Sequence, residues 1–222
     1  MQSILDGKMI IRVSASILGL DYSDQTAIDQ AVLRITNANY VHFDIADGKF
    51  VKEKSFGSDV VARTSLSGTK LEKDVHLMVK DPEKEVDKYL EAGADMISFH
   101  AEASKAPDKL LGKIRAAGVQ AGLAISPSTT LKSIEKYLDN LDFVLIMTVK
   151  PGKPGQKLLK TTIKKVASLR KKRPHLDIEV DGGINAGNAG ELIDAGATIL
   201  VSGSYIFNSE DPKIAIDLLR NA

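Results

Sequence analysis

At 222 residues, with 43% apolar and 27% charged side chains, the chain is long enough for one sizeable core and too evenly mixed for disorder. A net charge of +1 excludes a general binder of nucleic acid or anionic membrane, since both need a concentrated excess of Lys and Arg. No apolar stretch is long enough for a bilayer, Met1–Met9 lacks a secretory segment, and the absence of cysteine leaves only nitrogen and oxygen to hold a metal. A cytoplasmic protein is expected.

Strand-like and helix-like segments alternate along the chain. The first strand is expected at Ile10–Ser14, followed by an amphipathic helix over Asp24–Asn37. The next pairs are Tyr40–Ile45 with Ser58–Ser65, Lys73–Val79 with Pro82–Ala92, and Met96–His100 with Ala106–Ala117. Then come Gln120–Ile125 with Leu131–Asp139, Phe143–Thr148 with Leu158–Lys172, Asp177–Asp181 with Asn188–Ala195, and Thr198–Ser202 with Pro212–Arg220. Most of these strands are short and apolar throughout, as parallel strands buried on both faces are. Gly93, Gly118 and Gly196 each follow a helix and precede a strand, the place of a left-handed helix cap. Asp81-Pro82 and Asp211-Pro212 read as helix starts with a capping Asp. Strict alternation of eight pairs predicts a (β/α)8 barrel as one domain over residues 1–222, with residues 1–9 as a short N-terminal extension. An open doubly wound sheet is the weaker reading, because no Gly-x-Gly-x-x-Gly follows the first strand. The basic run Arg170–Arg173, at a helix C-terminus, reads as a solvated face suited to the helix dipole.

His42, Asp44, His76 and Asp181 carry the chemistry. His42 and Asp44 are two apart on one strand and so share a face. All four sit at or near the C-terminal ends of strands two, three and seven, where a barrel places its active site. Two imidazoles and two carboxylates complete a shell for one divalent metal ion such as zinc, iron, manganese or cobalt. His100, beside Glu102, reads as a structural or supporting residue whose tautomer the carboxylate fixes, and His175 as exposed.

The loops after strands seven and eight begin with Gly182-Gly183 and Gly203-Ser204, where barrels often grip phosphate. Gly152 and Gly155 follow strand six at the same end. A metal beside two aspartates, with a phosphate clamp further off, suits a small phosphorylated ketose. The metal stabilises an enediolate while one carboxylate removes a proton and the other returns it on the opposite face, giving the epimer.

From about Ile11 to Arg220 the chain resembles the ribulose-phosphate 3-epimerase family. The resemblance rests on Ser14–Leu18, His42–Gly48, Val75–Glu83, Ala92–Asp95, Phe99–Ala103, Leu145–Val149, Glu179–Ile184 and Val201–Ser204. It implies a (β/α)8 barrel interconverting D-ribulose 5-phosphate and D-xylulose 5-phosphate in the pentose phosphate pathway. His42, Asp44, His76 and Asp181 would be its metal ligands, and Asp44 and Asp181 its acid–base pair. Ser16, His76, Met78 and Met147 would meet the substrate, and family members commonly form homo-oligomers. The departures cluster near the site: Ala46 stands for a Met, Lys153-Pro154 for Phe-Gly, Lys52-Glu53 for Pro-Asn, and Ala15 for a Pro. They leave open a 3-epimerase of another ketose phosphate, such as a hexulose 6-phosphate, or a sugar-phosphate-binding relative without turnover. The Asp-x-Lys-x-x-Asp array of related decarboxylating and aldol barrels is absent, because strand three reads Asp74-Val-His76.

Overall fold

The computed structural model describes Ile4–Leu5 and residues 8–222. Of the expected extension, Ile4–Leu5 pairs antiparallel with Lys8–Met9, and residues 1–3 and 6–7 lie outside the described residues. The barrel strands are β1 (Arg12–Ser16), β2 (Tyr40–Ala46), β3 (Glu72–Met78), β4 (Met96–His100), β5 (Gln120–Ile125), β6 (Phe143–Met147), β7 (Asp177–Asp181) and β8 (Ile199–Ser202). Each pairs in parallel with the next, and β8 pairs with β1 through Ile199↔Arg12 to close the ring. This is the (β/α)8 barrel expected.

The outer helices are α1 (Gln25–Arg34), α2 (Ser58–Arg63), α3 (Pro82–Glu91), α4 (Pro107–Ala116), α5 (Thr161–Lys172), α6 (Ala186–Asp194), α7 (Ser204–Phe207) and α8 (Pro212–Arg220). No helix among the described residues is long and apolar enough to cross a membrane. Between β5 and β6 the expected helix is instead two 3₁₀ segments, Leu131–Ser133 and Glu135–Asn140. Leu131, Ile134 and Tyr137 recur every third residue, which suits three residues per turn better than 3.6. The first strand begins at Arg12 rather than Ile10, because the pairing with β8 starts there. The helix after β7 begins earlier than expected, since Asn185 caps it reciprocally with Asn188. The four-residue α7 is too short for any periodicity to announce it.

Alternation along the strands produces two cores. Outward residues such as Val41, Phe43, Val75, Leu77 and Ile97 pack under the helices. Inward apolar residues, including Tyr40, Met96, Phe143, Leu145 and Ile199, fill part of the barrel lumen. Gly122 makes room for one of them, since a Cβ there would collide with the Phe143 ring. Other inward positions are polar and buried, among them Arg12, Ser14 and Ser16 on β1, His42 and Asp44 on β2, Asp74 and His76 on β3, Ser98 and His100 on β4, and Asp177 and Glu179 on β7. At the N-terminal end Arg12 pairs with Asp177 and donates to the Tyr40 hydroxyl at 3.2 Å.

Two local expectations need correcting. Asp211 caps α8 through Lys213 N, but the Asp81 carboxylate makes no cap and pairs with Lys84 at 2.8 Å. The basic run is not simply solvated. The Arg170 guanidinium donates to the carbonyls of Arg173, Pro174, Leu176 and Gly196, where four acceptors outcompete water. Lys172 pairs with Glu135 and Arg173 with Asp139.

Candidate metal and phosphate site

β2, β3 and β7 bring His42, Asp44, His76 and Asp181 together, with ligating atoms all within 4.8 Å of one another. The register explains it: Asp44 lies opposite His76 across the β2–β3 ladder, and both point inward. His76 Nδ1 sits 3.0 Å from Asp44 Oδ1 and 4.0 Å from Asp181 Oδ2. His42 Nε2 lies 3.3 Å from Asp44 Oδ1 and is buried without a hydrogen-bond partner among the described residues. An unpartnered imidazole nitrogen beside two carboxylates is an arrangement suited to holding a metal ion. The donor set fits a divalent ion.

The second row of contacts fixes the first. Asp74 Oδ2 lies 2.6 Å from His42 Nδ1 and accepts from Ser14 Oγ at 2.7 Å. An ionised Asp74 makes Nδ1 the donor and leaves the Nε2 lone pair facing the site. Glu179 lies beneath, its Oε1 3.9 Å from His42 Nδ1. Burial, then the Asp74 charge, pushes Glu179 well above the usual carboxylate range. Sequence reasoning misses both Asp74 and Glu179. A signal for them exists, since each lies two residues before a ligand and shares its face.

Environment drives the two site aspartates apart. Burial, then the Asp44 charge, pushes Asp181 up to about 8. Burial also works against the charged form of Asp44, but His42 and His76 outweigh it and hold that carboxyl below its usual range. Ser16 Oγ donates to Asp44 Oδ2 at 2.8 Å. Burial draws the His76 imidazole down to about 4, leaving it neutral as a ligand must be.

Above this cluster opens a cavity of about 460 Å³. Ser16, Asp44, Met78, Met147, Gly152, Gly155, Asp181, Gly182, Gly183, Gly203 and Ser204 all line it. His76 is fully buried and lies beneath the lining, not on it. Ala46 is buried and off the cavity wall, so its lost methionine does not open the chamber itself. Residues that no sequence signal marks also line it, among them Gln156, Asn185, Tyr205 and Asn208. Gln156, Asn185 and Asn208 sit on loops and Tyr205 on the four-residue α7, where no periodicity betrays which side chain turns inward.

The end of the cavity where a phosphate is expected is built from pinned backbone. Thr148 Oγ1 donates to Gly182 O at 2.5 Å, Asn188 Nδ2 to Gly183 O at 2.9 Å, and Ser202 Oγ to Ile184 O at 2.8 Å. In a trans peptide the next N–H points the opposite way, so the amides of Gly183 and Ile184 turn away from these anchors. Gly183 has φ +68°, and a Cβ there would collide with the Gln156 carbonyl oxygen. Only glycine fits.

His100 is buried, with Nε2 3.0 Å from His76 Nε2 and Nδ1 3.2 Å from Glu102 Oε2. That is the supporting position expected of it. His175 is exposed.

Comparison with known proteins follows the same line. Ribulose-phosphate 3-epimerase of Bacillus subtilis is 36% identical, over 96% of this chain and 100% of that one. The enzyme of Schizosaccharomyces pombe is 34% identical over 95% and 93%, and the chloroplastic one of Arabidopsis thaliana 38% over 94% and 76%. Among solved structures, 3-hexulose-6-phosphate synthase from Salmonella typhimurium superposes with a TM-score of 0.73, over 95% of this chain and 97% of that one. At 16% identity that likeness speaks for the fold alone. The model of the ribulose-phosphate 3 epimerase family matches residues 12–207, and the chain belongs to that family.

Proposed function

We propose that this enzyme interconverts D-ribulose 5-phosphate and D-xylulose 5-phosphate, a step of the pentose phosphate pathway, by proton transfer between two aspartates. The observation that carries the reading is the meeting of two carboxylates, Asp44 and Asp181, on one cavity floor within a single His/Asp cluster. His42 and His76 hold Asp44 below the usual carboxylate range, while burial and then the Asp44 charge push Asp181 up to about 8, so the two carboxyls hold a proton with different strength. Asp44 removes the C3 proton from one face of the sugar, and Asp181 supplies one to the other. In the reverse direction the roles exchange. His42, Asp44, His76 and Asp181 would hold a divalent cation, which supplies Lewis-acid polarisation of the ketose oxygens when bound. Ser16 orients Asp44, and the Gly182–Ile184 and Gly203–Ser204 segments receive the phosphate.

The test is deuterium incorporation at C3 of D-ribulose 5-phosphate in heavy water, followed by NMR with metal-loaded protein. Exchange accompanied by xylulose 5-phosphate supports the assignment. No exchange by protein of verified metal content would sink it. Lys153 and Pro154 on the cavity wall favour one second reading, the same chemistry on another ketose phosphate, and parallel assays on six-carbon ketose phosphates decide between them.

A further inference from the structure

Three charged side chains line the cavity among the described residues: Asp44, Asp181 and Lys153. Two are the acid–base carboxylates, which offer an incoming phosphate no positive charge. The third is the only cationic side chain on the lining among the described residues. Lys153 sits in the loop between β6 and α5, and its neighbour Pro154 has no N–H to offer an anion. The loop backbone is fixed. Gln156 Nε2 donates to the carbonyls of Lys150 at 2.7 Å and Lys153 at 2.9 Å, and Gly183 packs directly against Gln156.

The ammonium is far less constrained than the backbone that carries it. The Lys153 side chain is 69% exposed, and its ion-pair partner is Glu53 at 3.3 Å. Glu53 belongs to the loop after β2 and is seated against Gly152, where a Cβ would lie 2.8 Å from its Oε2. Glu53 does not line the cavity. An ion pair this exposed is weak and exchanges easily, and a phosphate dianion is a stronger partner than one carboxylate.

We propose that Lys153 is a substrate-binding residue: its ammonium leaves Glu53 and pairs with the phosphate when a phosphorylated ketose enters. Glu53 is the resting partner that keeps the ammonium at the rim and away from the two floor aspartates. The site class rests on the epimerase reading above, but anion binding is measurable without turnover.

The experiment titrates inorganic phosphate into the metal-loaded wild type, Lys153→Gln, Glu53→Gln and the double variant, with KM and kcat for ribulose 5-phosphate measured alongside. Lys153→Gln is expected to weaken phosphate and raise KM by roughly tenfold, the effect of one charge-assisted contact, with kcat within about twofold. Glu53→Gln is expected to tighten phosphate by about two- to threefold, since the competing carboxylate is gone. The double variant should match Lys153→Gln. If Glu53→Gln weakens phosphate as much as Lys153→Gln does, the pair is merely a strap between loops and the proposal fails. It fails equally if Lys153→Gln leaves phosphate affinity unchanged, or if the wild type turns over the sugar without binding phosphate. Lys153-dependent phosphate binding by a wild type inert on ribulose 5-phosphate would sink the assigned reaction and uphold the anion site.

Discussion

His76 and His100 meet nitrogen to nitrogen, Nε2 to Nε2 at 3.0 Å, so one ring must donate and the other accept. Glu102 decides which. Its carboxylate faces His100 Nδ1 at 3.2 Å, so that nitrogen carries the proton and the Nε2 of a neutral His100 accepts. His76 then donates from Nε2, which leaves its Nδ1 lone pair toward Asp44 and Asp181. The carboxylate thus sets the tautomer of a candidate metal ligand through an intervening ring. We predict Nε2–H on His76, Nδ1–H on His100 and Nδ1–H on His42 in the zinc-loaded protein, read by long-range proton–nitrogen NMR. Glu102→Gln should lower zinc affinity by about 10–100-fold. A proton found on His76 Nδ1 would refute the chain.

The same carboxylate carries an acid-stability signature. Burial works against its charge, but bonds from His100 and Thr129 prevail and hold Glu102 at about 2, against roughly 4.3 for an unperturbed glutamate. A depressed folded pKa stabilises the fold above the unfolded value, and the contribution is lost as pH falls from about 4.3 towards 2. Denaturant midpoints of wild type and Glu102→Gln should therefore differ at pH 6 and converge as the pH approaches 2. A gap of constant size across that range would rule out the linkage.

For the proposed acid–base pair, Asp44→Asn and Asp181→Asn should each reduce epimerisation by about 10²–10⁴-fold, the usual contribution of a positioned proton carrier. Both aspartates also belong to the metal cluster, so metal content must be measured on each variant. A metal-replete Asp181→Asn that keeps full C3 exchange and epimerisation would remove it from the mechanism.

Much of the site is legible in the residues, and the reason is parity. On a strand the side chain two positions away shares a face, so His42 and Asp44 announce a joint site from spacing alone. The same rule points to Asp74 and Glu179, which are easily passed over because a metal shell of four already looks complete. Loop residues are a different matter. That Lys153 reaches Glu53 depends on how two loops from distant parts of the chain meet at the mouth, which no local pattern encodes. Likewise, spacing places His76 at the site but gives no hint that it lies under the cavity floor.

Gly183 offers a test of the proposed phosphate end. Its φ of +68° penalises alanine, and so does the Gln156 carbonyl oxygen that any methyl at this position would strike. That obstacle is backbone, which yields little. Gly183→Ala is expected to cost about 1–3 kcal/mol by denaturation and to weaken inorganic phosphate. Unchanged phosphate affinity in the folded variant would move the anion site elsewhere.

Arg12 and Asp177 separate stability from chemistry. They begin β1 and β7, so they lie at the N-terminal end of the barrel, opposite the cavity. Asp177 also accepts from Thr198 Oγ1 at 2.8 Å, and both charged side chains are buried. Removing one partner strands the other charge in a dry interior, which typically costs about 3–5 kcal/mol. Asp177→Ala should lose that much in urea unfolding while the folded fraction keeps its kcat. Replacing both partners together, as Arg12→Met with Asp177→Leu, should recover much of the loss, because no charge is then left unpaired. A double variant as unstable as Asp177→Ala would mean that packing around Tyr40, rather than the stranded charge, sets the cost.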